Sequence, residues 1–196
     1  MNNNISLNNM RQQIGQTWLI VVLACVYVVS QVTILIILGP IEDAFIKLQT
    51  TGTSVADYVT VFNTWQASGD MALYRAHFIL DDVHWIWYAA LFTALLSRLF
   101  NRLEISPAYN WFLLLPLASG LLDWYENRLQ HVFLSSTDFS AIIHPLPLYS
   151  TVASDIKWVL ALGYIVATLL LAGRLLLDSD RRRSKSEHET LQTGEQ

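Results

Sequence analysis

Four stretches of the chain are apolar at almost every position for longer than a soluble core helix requires, and the polar residues that interrupt them recur at helical spacing. They cover residues 17–39, 79–100, 111–134 and 152–177. About 20 residues of helix cross the roughly 30 Å of bilayer hydrocarbon, so the pattern predicts an all-α fold, an integral membrane four-helix bundle. The first stretch exceeds the apolar core of a secretory signal, about 7 to 15 residues, and no small-x-small cleavage site follows before Gly39-Pro40. It reads as a retained first span.

The connections differ in kind. Residues 101–110 form a short turn with Pro107, which makes spans two and three antiparallel neighbours. The long connection 40–78 contains Ser54-Val55-Ala56-Asp57, a capping-box pattern, followed at helical spacing by Val55, Val59, Phe62 and Trp65 or Gln66. A short amphipathic helix is expected there, lying on the outer interface or packed as an ordinary loop helix. Asp70 is placed to cap a helix running from Met71 into span two without a breaker. The paired prolines of His144-Pro145-Leu146-Pro147 favour an extended path folding over the bundle. Residues 1–16 and 178–196 are expected to be disordered.

Composition agrees with a membrane protein: 53% of residues are hydrophobic, only 14% are charged, and mean hydropathy is +0.36. The formal charge of −4 is unevenly spread and gives no case for nucleic acid as a partner. Arg11, Arg98, Arg102, Arg174, Arg181, Arg182, Arg183 and Lys185 flank one set of span ends, against Lys47, Arg75 and Arg128 on the other. Lys and Arg mark the cytoplasmic side, so both termini are expected in the cytoplasm of a bacterial inner membrane. Trp18 and Trp111 then fall at the inner interface and Trp124 and Trp158 toward the outer one. The single cysteine, Cys25, permits no internal disulfide and reads as apolar filler.

The chemistry lies in polar residues at membrane depth. At 1.5 Å per residue, Asp123 and Glu126 stand about 18 and 22 Å above the inner end of span three, and Tyr88, His84 and Asp81 about 18, 24 and 28 Å up span two. Lys157 lies about 25 Å above Arg174, and Gln31 about 21 Å above Thr17. Helical phase puts Tyr74, His77, Asp81, His84 and Tyr88 on one stripe, with Asp82 turned away. Span three gathers Pro116, Ser119, Gly120, Asp123, Asn127 and Gln130, with Glu126 at the edge; span four gathers Ser154, Lys157, Ala161, Tyr164 and Thr168. Insertion scales assign roughly 2.5 to 3.5 kcal/mol to an Asp, Lys or Arg at a helix centre, so these groups need partners. Lys157 is the natural counterion of Asp123 or Glu126, while Arg128 either snorkels outward or joins the network.

Leu80-Asp81 with Tyr88-Ala89, Asp123-x-x-Glu126-Asn127, and Lys157-Trp158 together resemble a group of small bacterial four-span membrane proteins, over residues 79–177. That resemblance implies the four-span fold and no activity. More loosely, inward acidic and aromatic residues in a small bundle are similar to the EXPERA group of sterol isomerases and sigma-2-like ligand-binding proteins; the motifs do not align residue by residue, so no catalytic position is carried over.

Two readings compete for the network of Gln31, His77, Asp81, His84, Tyr88, Asp123, Glu126, Asn127, Lys157 and Tyr164. In one it lines a pocket in the outer half that holds a lipid or small amphipathic ligand, with acid and base transfer through Asp81, Asp123 or Glu126. In the other it is a structural knot in an accessory or assembly subunit with a membrane-protein partner. A proton or ion conductor fits less well, because the inner half is apolar. No cofactor is expected. His77, Asp81 and His84 share a face with ligand-like spacing, but without a HExxH pattern. Gly-rich phosphate loops, Gly-x-Ser-x-Gly elbows and paired haem histidines are not evident.

Overall fold

The computed structural model describes residues 9–193, and they are all-helical without a strand. After a helical segment at residues 9–14, the described residues form, in order, α1 (Thr17–Leu38), α2 (Glu42–Thr51), α3 (Val55–Ser68), α4 (Met71–Arg102), α5 (Leu115–Phe133) and α6 (Leu146–Thr193). Short 3-10 segments, Gly39–Ile41 and Pro107–Leu114, introduce α2 and α5.

Among the described residues, three helical stretches are long and apolar enough to cross a membrane: Thr17–Thr51, Met71–Arg102 and Leu146–Ser179. The third expected span does not meet that description. Its α-helix is only 19 residues long, opened by a 3-10 segment with Pro107 in its first turn, and it carries Asp123, Glu126 and Arg128. What α5 lacks in hydropathy it makes up in packing. Its face Pro116, Ser119, Gly120, Asp123, Glu126, Asn127 and Gln130 is buried against α4 and α6. At Gly120 a Cβ would meet the Trp85 ring at 3.0 Å and Ala89 at 3.4 Å, so the missing side chain is what lets α4 approach.

Several boundaries differ from expectation for local reasons. α6 starts at Leu146, before residue 152, with Pro147 in its first turn. A proline there forfeits an N–H that has no helical partner anyway, so the paired prolines start a helix instead of an extended path. Asp70 occupies the N-cap position of α4 without capping it; its carboxylate accepts from the Ser68 hydroxyl at 2.7 Å. The expectation of disorder at 1–16 fails at residues 9–14, which are helical, while residues 1–8 lie outside the described residues. Arg11 holds this turn: it is buried and donates to Asn101 Oδ1 (3.0 Å), the Ile105 carbonyl (3.1 Å) and Asn110 Oδ1 (3.2 Å). At the other end the backbone is helical to Thr193, and residues 194–196 lie outside the described residues.

The capping box forms at α3 as its sequence requires: Ser54 Oγ accepts from the Asp57 amide at 3.2 Å, and Asp57 Oδ2 accepts from the Ser54 amide at 3.0 Å. Of the two readings for this helix, packing applies. Tyr58, Phe62 and Trp65 are buried in an aromatic cap with Tyr74, Phe78, Phe133 and Phe139. Full burial of a phenylalanine such as Phe62 or Phe133 contributes roughly 1.5 to 3 kcal/mol. α2 had no clear signal in the sequence. It crosses the bundle and reaches α6, where Thr151 Oγ1 donates to the Gly52 carbonyl at 2.8 Å.

The pairing of helices decides where the bundle is closed and where it is open. α1 packs on α4, α4 on α5, and α5 on α6, whereas α1 and α6 make no extensive contact with one another. Most of α1 is exposed outside that one seam; Ser30, Ile34 and Leu38 are its buried residues.

Candidate functional site

Asp123 and Glu126 are three residues apart on α5 and therefore stack on one face. Lys157 of α6 sits between them, Nζ donating to Asp123 Oδ1 at 2.8 Å and to Glu126 Oε2 at 2.6 Å. The second oxygen of each carboxylate is also engaged: Tyr88 Oη donates to Asp123 Oδ2 at 3.2 Å, and Gln49 Nε2 to Glu126 Oε1 at 3.0 Å. All three charged residues are buried. A buried charge persists only when paired and hydrogen-bonded, and four helices supply the donors and acceptors here. Ser119 and Ser154, both fully buried, allow the close approach of α5 and α6, and Ser119 donates to the Lys157 carbonyl at 3.2 Å.

A second polar group ties α1 to α4. The His84 ring lies 2.8 Å from Ser30 Oγ through Nδ1 and 3.0 Å from Gln31 Oε1 through Nε2. The ring also stacks on Tyr27, centroids 5.3 Å apart. His77 lies elsewhere: it is buried beneath the aromatic cap, and Nδ1 bonds the carbonyl of Tyr74.

Between α1 and α6, where those helices fail to meet, lies a cavity of about 300 Å³. Ile34, Leu35 and Leu38 of α1 form one wall, Ala161, Tyr164 and Ile165 of α6 the other, and Phe45 and Gln49 of α2 lie across it. Phe92 of α4 adds to its apolar part. Its polar part is formed by Gln31, Asp81, His84, Tyr88, Asp123 and Lys157. This shape, mostly apolar with a few convergent polar groups, is that of a small-molecule site. Asp81 differs from its neighbours: no close hydrogen bond ties its carboxylate to a described side chain, and His77 Nε2 lies 4.0 Å from its Oδ2.

Thus Tyr88, Asp123, Glu126 and Lys157 form one bonded network, Gln31 and His84 a second, and Asp81 and Tyr164 face the cavity shared by both. Asn127 is buried behind them, its Nδ2 without a partner. The residues with ligand-like spacing do not converge: His77 is turned to Tyr74 and His84 to Ser30 and Gln31, and no group of three metal-ligating side chains occurs among the described residues. Sequence reasoning passed over Gln49 and Ser30, which have no local pattern to mark them. It also set Asp82 aside as pointing away from the stripe. Asp82 does leave the stripe, and accepts from His131 Nε2 at 2.9 Å with Arg128 3.6 Å away, so Arg128 joins an outer pair and not the Lys157 network. The spacing of His131 and Arg128, three apart on α5, was the available signal.

No family model, curated protein or solved structure matches this chain.

Proposed function

We propose that the chain is a four-span protein of a bacterial inner membrane, with both termini cytoplasmic, whose cavity binds a lipid or a small amphipathic molecule. The single observation that carries the reading is the cavity of about 300 Å³, with aliphatic walls from α1 and α6 and a polar end at Asp81, His84 and Gln31. An amphiphile satisfies both parts, and the absence of close packing between α1 and α6 leaves a route from the bilayer. α5 counts as the remaining span because its 19 residues reach about 28 Å and its charged groups have partners in neighbouring helices. The Lys and Arg distribution supports the orientation.

Ala161→Trp tests the binding reading by filling the cavity. Full-length protein purified in mild detergent is expected to carry a defined lipid-like species by mass spectrometry, and the variant to lose it while unfolding within a few degrees of wild type. Equal retention in both proteins, or no bound species in either, overturns it.

One observation favours a second reading. Every carboxylate oxygen of Asp123 and Glu126 already has a donor, which suits a structural knot in an assembly subunit. Crosslinking in membranes that recovers only monomer counts against that alternative.

A further inference from the structure

Beside this cavity lies a small void of about 10 Å³ between α2, α4 and α5, roughly the space that one water needs. Its lining is polar on three sides: His77 and Asp81 from α4, Gln49 from α2, and Glu126 and Asn127 from α5. Phe45, Gln49 and Asp81 line both spaces and so form the wall between them.

Hydrogen bonding around this void does not close on protein atoms alone. Asn127 Nδ2, on a residue only 3% exposed, is a donor without an acceptor. A carbonyl only accepts, so the His77 Nδ1 that bonds Tyr74 carries a proton. In the neutral ring Nε2 then presents a lone pair, and it faces Asp81 Oδ2 at 4.0 Å. That distance is too long for a direct hydrogen bond, and contacts of this length between polar groups are commonly bridged by water.

From this geometry we propose that the void is a water site, and that Asp81 and His77 share one proton through that water. The water accepts from Asn127 Nδ2 and from whichever of Asp81 and His77 Nε2 carries the shared proton, and donates one of its own hydrogens to the other. In one state the carboxyl is protonated and Nε2 bears the lone pair; in the other the carboxylate faces an imidazolium. The proton count is the same in both and only its position changes. Asp123 and Glu126 are excluded from this role because Lys157, Tyr88 and Gln49 occupy their oxygens. Asp81 is therefore the acid whose proton an occupant of the large cavity exchanges. The groups that bias it are His77 and His84 on its own helix, Asp123 and Glu126 on α5, Lys157 on α6, and Glu42 of α2 at the cavity rim. The water site stands on its own; delivery to an occupant rests on the binding reading above.

Infrared difference spectroscopy of the reconstituted full-length protein, titrated with pH in ordinary and in 18O-labelled water without added amphiphile, tests it. One carboxylic C=O band is expected to titrate and to vanish in Asp81→Asn. Its midpoint should move by about one pH unit or more, tenfold in proton affinity, in His77→Gln. A buried-water O–H band sensitive to the isotope should be lost in Asn127→Leu. If Asp81→Asn does not fold, Asp81→Glu keeps the carboxyl and should shift the band. A titrating band that survives Asp81 substitution and disappears in Asp123→Asn or Glu126→Gln overturns the proposal, as does the absence of any isotope-sensitive water band. Because no ligand is present, failure here leaves the outcome with Ala161→Trp unaffected.

Discussion

Replacing Lys157 by Met removes the ammonium that two buried carboxylates share while keeping most of the side-chain volume. In the native protein that ammonium stands 2.8 Å from Asp123 and 2.6 Å from Glu126. Without it the carboxylates face each other across three residues of one helix with only Tyr88 and Gln49 as donors. Breaking a buried ion pair from one side costs about 3 to 5 kcal/mol, because the remaining charge stays buried without compensation. For a chain of this size each kcal/mol moves the unfolding midpoint by about 2 to 4 °C, so a drop of roughly 6 to 20 °C is expected. The assay is thermal unfolding in detergent, monitored by helical circular dichroism, in a cycle of Lys157→Met, Asp123→Asn with Glu126→Gln, and the triple variant. Neutralising both acids together with the lysine should recover most of the loss, since replacing a whole buried ion cluster by uncharged groups is often neutral. The interaction is thus expected as strong non-additivity. A Lys157→Met protein within about 1 kcal/mol of wild type, or destabilisations that simply add, refutes the claim that the three charges act as a buried unit.

Two further outcomes concern groups at the ends of the bundle. Arg11→Met removes three hydrogen bonds at the N-terminal turn and the stacking of its guanidinium on the Phe100 ring, 5.6 Å to the centroid. A single bond to a charged group is worth about 1.5 to 3 kcal/mol, so thermolysin should cleave the segment before Thr17 at least about tenfold faster; unchanged cleavage rules out Arg11 as the anchor. At α3, the Ser54 hydroxyl and then its amide hold the Asp57 carboxyl below the usual carboxylate range. A depressed folded value means that the stabilisation is present above the unfolded pKa, about 3.9, and is lost as pH falls through the folded value. Ser54→Ala should therefore speed amide hydrogen exchange in the first turn of α3 at neutral pH, by the equivalent of about 1 kcal/mol, and the difference from wild type should shrink below about pH 4. A difference independent of pH contradicts the carboxylate's part in the cap.

Local pattern in this chain carries one kind of information and tertiary packing another. Hydropathy and period alone specify helices over α1, α4 and α6, because burial in hydrocarbon requires an unbroken apolar run whatever the neighbours are. The capping box of Ser54 and Asp57 is likewise complete within four residues. Helical phase places Asp123 on the face of α5 that carries Ser119 and Gly120, and Lys157 on the face of α6 that carries Ser154 and Ala161, since side chains four apart on one helix must share a side. Phase does not say which helix lies opposite. That α1 sits against α4 and leaves a gap beside α6, that Gln49 crosses from α2 to Glu126, that Asp82 meets His131, and that Arg11 reaches Asn101 and Asn110 all bring together residues distant in sequence. They depend on the order and rotation of helices around the bundle, which side-chain volume and buried hydrogen bonding decide together. The same limit explains α5: its sequence states a costly set of charges, and only the packed neighbours supply the donors and the ammonium that let it remain buried.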